Sequence, residues 1–209
     1  MNKVWPSLES LKNLQQVTQT KEKKDLEEKY GSSSGMQTNI WGPALWMTIH
    51  VVSFNYPVKP TKEQKTHYAT WLTSLGNILP CKYCRDNFKN NMTTSGWSWT
   101  NSSENETKIL ESRYTFSHFC WRLHNNVNLM LGKTSPPFEE VRDRFESMRA
   151  SCLSEKEKIK LEKESKELGC IRPLHKGERG KCVISIVPVK ENVESFRIDQ
   201  KCLANMTPL

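Results

Sequence analysis

From Ile40 to Ser151 the apolar residues recur at helical spacing in one segment after another, and proline or glycine closes most of them, so this stretch has to fold as packed helices. The first helix is expected from about Pro43 to Asn55: Pro43 suits a first turn, Pro57 blocks continuation, and Gly42, Trp46, His50 and Ser53 fall on one stripe. The second begins after Thr61, where Thr61 and Gln64 match a capping box, and runs to about Ile78. A third starts at Pro80-Cys81 and fades near Met92, and "TTSGWSWTNSSENE" then reads as a loop. The fourth is expected from about Glu106 to Leu131, with Gly132 as its C-terminal cap. The fifth runs from Phe138 to Ser151 with Val141, Phe145 and Met148 on one face. The expected fold is an all-α core, a helical bundle of roughly 110 residues.

The ends have a different character. Residues 1–35 are polar, with a charge run that closes in a serine and glycine cluster, and read as a flexible tail. Residues 36–152 form the core domain. Residues 153–209 combine a charged helix or linker with a small appendage, in which Val183 to Val189 alternates as a β-strand would and a hairpin around it is expected. Lysine and arginine number 31 against 23 aspartates and glutamates, but the two signs are interleaved, which argues against a nucleic-acid partner. No apolar run is long enough to span a bilayer and the first twenty residues lack a signal peptide's hydrophobic segment, so no membrane partner and a cytoplasmic protein are expected.

Seven cysteines, at 81, 84, 120, 152, 170, 182 and 202, are more than a reducing compartment usually requires. Cys81 and Cys84 form a CxxC whose spacing fits a disulfide, zinc ligation or two buried thiols. Pro80 would place the Cys81 sulfur beside unsatisfied amides at a helix start, which favours a thiolate, and Cys84 one turn deeper should be more shielded. Zinc needs two further ligands, from His118, Cys120 and His124 or from Cys170 and Cys182; His118 and Cys120 are rotated about 200° apart on a helix and cannot both join the pair. A zinc-stabilised helical interaction module is therefore the alternative to a redox enzyme.

In the fourth helix a stripe of Ser117, Trp121, His124, Asn128 and Leu131, flanked by Asn125, mixes an aromatic with hydrogen-bonding groups. Together with Trp46 and His50 it suits a planar redox ligand, with Lys133 as a phosphate partner. No GxGxxG loop is present, so a dinucleotide would not bind in the Rossmann manner.

"WGPALWMTIH", Tyr56-Pro57, "PCKYCRDNF" and "HNNVNLMLGK", in that order, resemble the FAD-linked sulfhydryl oxidases of the Erv/ALR type over about Ile40 to Ser151. "WGPALW", "ILPC" and "SPPFEEVRDRF" are most similar to the forms carried by large DNA viruses, which implies a host cytoplasm or a virion. The resemblance implies a four-helix bundle with a short fifth helix, usually a homodimer, that binds FAD at the mouth of the bundle. It also implies that Cys81 is the outer sulfur attacked by client thiolates, that Cys84 passes electrons to the flavin, and that O2 accepts them to give H2O2. Gly42, Trp46, His50, Tyr56, Phe88, His124, Asn125, Asn128, Leu131 and Lys133 match positions around the cofactor. Glu139 and Glu140 stand where many relatives carry a second disulfide, and no cysteine precedes Cys81. Cys170 with Cys182 is expected to staple a hairpin or to act as a shuttle. Cys120 is expected in the core, and Cys202 free or paired with Cys152 or another chain.

Overall fold

The computed structural model describes residues 35–99, 108–152, 180–194 and 196–202, with 154, 156, 159, 172 and 173 as isolated positions. Five helices carry the described fold: α1 (Thr38–Phe54), α2 (Lys62–Ile78), α3 (Lys82–Thr94), α4 (Arg113–Met130) and the short α5 (Phe138–Glu146). A two-residue antiparallel pair follows, β1 (Ala150–Ser151) with β2 (Arg172–Pro173). The tail expected over 1–35, apart from Gly35, which bridges Cys81, and most of 153–179, including Cys170 and its pairing, lie outside the described residues.

Local chemistry explains most boundaries. Thr61 caps α2 by accepting the Gln64 N–H while Gln64 Oε1 accepts the Thr61 N–H, the reciprocal box expected there. α1 starts at Thr38, five residues before the expected start, and runs through Pro43. A proline in the second turn removes one helical hydrogen bond without ending the helix, because packing on the core holds both sides. α4 starts later than expected, at Arg113: the Ser112 hydroxyl takes the Thr115 N–H and Thr115 answers through the Ser112 N–H, a capping box with threonine in the usual place of Glu or Gln. The expected start at Glu106 lies outside the described residues. α5 ends at Glu146, short of the expected Ser151.

α1 packs on α4, α2 on α3 and α3 on α4, around a core of Ile49, Tyr56, Leu72, Met92, Phe116, Phe119, Cys120 and Leu123. Trp97, in the stretch expected as a loop, is 2% exposed and packs on Phe119. A second cluster of Phe54, Phe138, Val141 and Phe145 closes α5 onto α1 and α4. Cations satisfy the carbonyls at the end of α1: Arg149 donates to the Phe54 C=O at 2.8 Å and Arg113 to the Tyr56 C=O at 2.6 Å.

The alternating run Val183–Val189 is irregular and exposed, not a strand. Alternation specifies a strand only where a sheet supplies an edge, and no described strand lies beside it. The segment instead touches the core domain farther on, where the Phe196 ring stacks on Phe145, centroids 6.2 Å apart.

The two stretches should respond oppositely to truncation. Trp97→Ala is expected to cost about 3–5 kcal/mol, whereas Val189→Ser should stay within about 0.5 kcal/mol of wild type. Urea unfolding midpoints, read with unchanged slopes, check both.

Candidate active site

Cys81 is the N-cap of α3, and its sulfur accepts the Cys84 N–H at 3.2 Å, the bond a serine or aspartate oxygen makes at other helix starts. The two cysteines form a disulfide, Cα atoms 5.2 Å apart. A thiolate released at this position would meet free amides and the positive end of the α3 dipole.

Their exposure reverses the sequence expectation. Cys81 is 8% exposed and Cys84 only partly covered. The chain entering α1 crosses Cys81 here: Gly35 forms an antiparallel β-bridge with Cys81, and the Met36 N–H donates to the Pro80 carbonyl. Beyond that crossing, Thr38 Oγ1 lies 3.9 Å from Cys84 Sγ.

Thr38 begins a line along α1. Thr38, Gly42, Trp46 and His50 follow at intervals of four, so they share a face that runs about 18 Å from Cys84 toward α4 and α5. Gly42 is buried, and a Cβ there would lie 3.5 Å from the Thr38 methyl. At the far end the Trp46 ring stacks on His124, centroids 4.1 Å apart and 7° from parallel. His50 Nε2 and His124 Nδ1 are 2.9 Å apart, one imidazole donating to the other, and Phe145 stacks on His50 at 4.9 Å.

Burial holds both imidazoles neutral. The His50 pKa falls to about 3, mainly by desolvation and then by the His124 and Arg144 charges. That of His124 falls to about 4, mainly by desolvation and then by Lys133. His50 Nδ1 and Asn125 Oδ1 are buried without a hydrogen-bond partner among the described residues, and leaving such atoms unmatched is costly. Asn125 Nδ2 donates to the Pro136 C=O at 3.1 Å, as does Trp121 Nε1 at 2.8 Å, so the loop before α5 is tied to α4.

Lys133 is placed by the backbone. Gly132 adopts φ +65°, its N–H reaches the Leu129 C=O, and the Lys133 N–H reaches the Asn128 C=O at 2.8 Å, a Schellman ending that turns Lys133 back toward His124. Asn128 is buried and Leu131 is 53% exposed. Two expected residues stand apart. Tyr56 is fully buried and its hydroxyl donates to the Leu110 C=O at 2.8 Å. Phe88 lies beneath α3 against Gly76, where an added Cβ would be 2.9 Å from its ring.

Sequence reasoning missed Thr38, because α1 was started too late, although the four-residue spacing back from Gly42 reaches it. Arg144 is absent from the residues the sequence singles out, and Phe145 is legible there only as part of the apolar face of the fifth helix; nothing local marks either as facing His50. Of the zinc candidates, His118 packs on Trp121 and Phe138, and Cys120 is buried, its thiol pushed up to about 12 chiefly by desolvation. Among the described residues no three His, Cys, Asp or Glu side chains stand together as metal ligands would.

Residues 43–146 match the Erv1 / Alr family. A protein of Acanthamoeba polyphaga mimivirus described as "Probable FAD-linked sulfhydryl oxidase" is 30% identical over 111 residues, 53% of this chain and 72% of the relative. The FAD-linked sulfhydryl oxidase ERV1 of Arabidopsis thaliana is 34% identical over 50% of this chain and 49% of its own length. The mitochondrial FAD-linked sulfhydryl oxidase ERV1 of Saccharomyces cerevisiae is 30% identical over 47% and 45%. The alignment thus spans about half of each cellular relative and most of the viral one.

The two imidazoles give the site a pH signature. Their folded pKa values lie below the usual 6.5, so the unfolded chain binds more protons between pH 6.5 and about 4. Their contribution to stability is complete above that window and shrinks as the pH falls through it. Thermal melts of wild type and His50→Gln between pH 7 and 4 should converge at the acid end; an unchanged slope in the variant would count against a neutral histidine pair.

Proposed function

Because this chain belongs to the Erv1 / Alr family, we propose that it is an FAD-linked thiol oxidase that forms disulfides in client proteins. Residues 36–152 are the catalytic unit in this reading. The observation that carries it is the line from the Cys81–Cys84 disulfide along Thr38, Gly42, Trp46 and His50 to His124. That face is long, largely aromatic, and ends in buried polar atoms awaiting a partner, which fits an elongated heteroaromatic cofactor.

In this proposal a client thiolate attacks Cys81 Sγ, the Cys81–Cys84 bond breaks, and the electron pair leaves on Cys84. Thr38 Oγ1 is placed to donate a hydrogen bond to that thiolate, and the start of α3 stabilises the negative charge. A second client thiolate then attacks the mixed disulfide, releasing the oxidised client and leaving Cys81 reduced. Gly42, Trp46, His50, His124, Asn125, Asn128, Leu131 and Lys133 hold the cofactor. The absence of a Cβ at Gly42 allows close approach, Trp46 and His124 offer ring faces, His50 Nδ1 and Asn125 Oδ1 offer polar contacts, and Lys133 offers a cation for phosphate. Tyr56 and Phe88, also expected at the cofactor, belong to the core that the helices share. When bound, FAD would supply a two-electron acceptor for the Cys84 thiolate, with O2 as the final oxidant giving H2O2.

Two copies pairing through α1 complete the proposal. The outer side of α1 presents Ile40, Ala44, Thr48 and Val51 at helical spacing, with Ile40 43% and Val51 42% exposed. Among the described residues no helix is long and apolar enough to cross a membrane. Action in the cytoplasm, of a host cell or with a virion, goes with the viral resemblance.

The purified protein should be yellow and consume O2 with dithiothreitol. Cys84→Ser should abolish turnover by at least about 10²-fold while retaining flavin absorbance; a colourless protein, or full turnover in the variant, would sink the reading. Val51→Arg should convert a dimer to a monomer by light scattering, and an unchanged mass would remove α1 from the interface.

A further inference from the structure

The Gly35–Met36 crossing is the feature of the active site that the proposed chemistry leaves unexplained. A client thiolate must reach Cys81 Sγ from outside, yet Cys81 is 8% exposed and Gly35 is bridged to it. The crossing is held at both sides of Met36: its N–H donates to the Pro80 C=O, and its own C=O accepts the Trp41 indole N–H at 3.1 Å. Gly35 permits this approach. It adopts φ +90°, and a Cβ there would fall on the Pro80 carbonyl. The Met36 side chain is 68% exposed, so no deep side-chain anchor accompanies these backbone bonds.

Resting on the thiol-oxidase reading, we propose that Gly35–Met36 is a displaceable cover on the outer sulfur, and that it determines which thiols are oxidised by holding the place an extended client segment takes. Displacement uncovers Cys81 Sγ and strips the Pro80 C=O of its donor. An incoming strand restores that bond with its own N–H, in the manner of a peptide added to a sheet edge, while its cysteine attacks Cys81. A cysteine fixed inside a folded client cannot do both. The cover therefore favours unfolded or newly made chains as clients. The exchange is balanced as before: one bond forms between the client sulfur and Cys81, the Cys81–Cys84 bond breaks, and Cys84 leaves as thiolate.

The full-length flavin-loaded protein is compared with Gly35→Ala and with Met36→Pro, which deletes the donating N–H. In the dithiothreitol-reduced protein, alkylation of Cys81 by iodoacetamide, followed by peptide mass spectrometry with Cys84 as internal reference, should accelerate by about fivefold in both variants, the effect of losing one hydrogen bond. The rate of O2 consumption at low dithiothreitol should rise by the same factor. A two-cysteine peptide N-methylated on both sides of its first cysteine should react about fivefold more slowly than the unmethylated peptide. Unchanged alkylation in both variants, or equal rates for the two peptides, would overturn the proposal. Wild type that alkylates as expected but consumes no O2 would overturn the oxidase reading and leave the cover standing.

Discussion

The seam between α1 and α4 is the constraint on which the rest of the structure depends. Trp46 stacked on His124, and His50 hydrogen-bonded to it, tie the two helices through side chains that are neither ordinary core nor ordinary surface. The bond between them needs one ring nitrogen to donate and the other to accept, so it cannot survive protonation of both rings, and burial disfavours charge on either. Burial enforces that state, with Lys133 and Arg144 adding positive charge from either side. Because α5 closes on the same seam through Phe145, the short fifth helix is part of the site's wall.

Helix ends do much of the remaining positioning. The start of α3 converts Cys81 into a cap whose sulfur already accepts an amide. The end of α4 sets Lys133 through a glycine in the left-handed region, so the cation's place depends on backbone hydrogen bonds more than on contacts of its own. Arginines bind carbonyls at and just past the end of α1, away from the disulfide at its start. The disulfide and the arginine thus meet opposite ends of one helix, with Thr38 at Cys84 and Phe54 at Arg149.

Much of this was legible in the sequence. The Thr61 box, the Gly132 stop and the Pro80-Cys81 start rest on chemistry within four residues, and each appears in the structure where it was read. Features set by distant packing were less legible. Pro43 suggested a helix start, but tertiary contacts carry α1 through it, and Thr38 was lost from the site in consequence. Trp97 follows a glycine in a stretch full of breakers, and only Phe119 on α4 reveals it as core. The relative cover of Cys81 and Cys84 was inverted because local helix geometry says nothing of a segment 46 positions upstream crossing over Cys81.

The run from Val183 to Val189 has a consequence of another kind. Val183, Ile184, Ile186 and Val189 are each at least 70% exposed, a row of β-branched side chains without a sheet to join. Such a row is a nucleus for intermolecular pairing, and concentrated solutions put it at risk. Pro188 inside the run, with Lys181 and Lys190 at its flanks, interrupts that pairing by removing an amide and adding like charge. Three residues outside the helical core thus guard this run against pairing between copies.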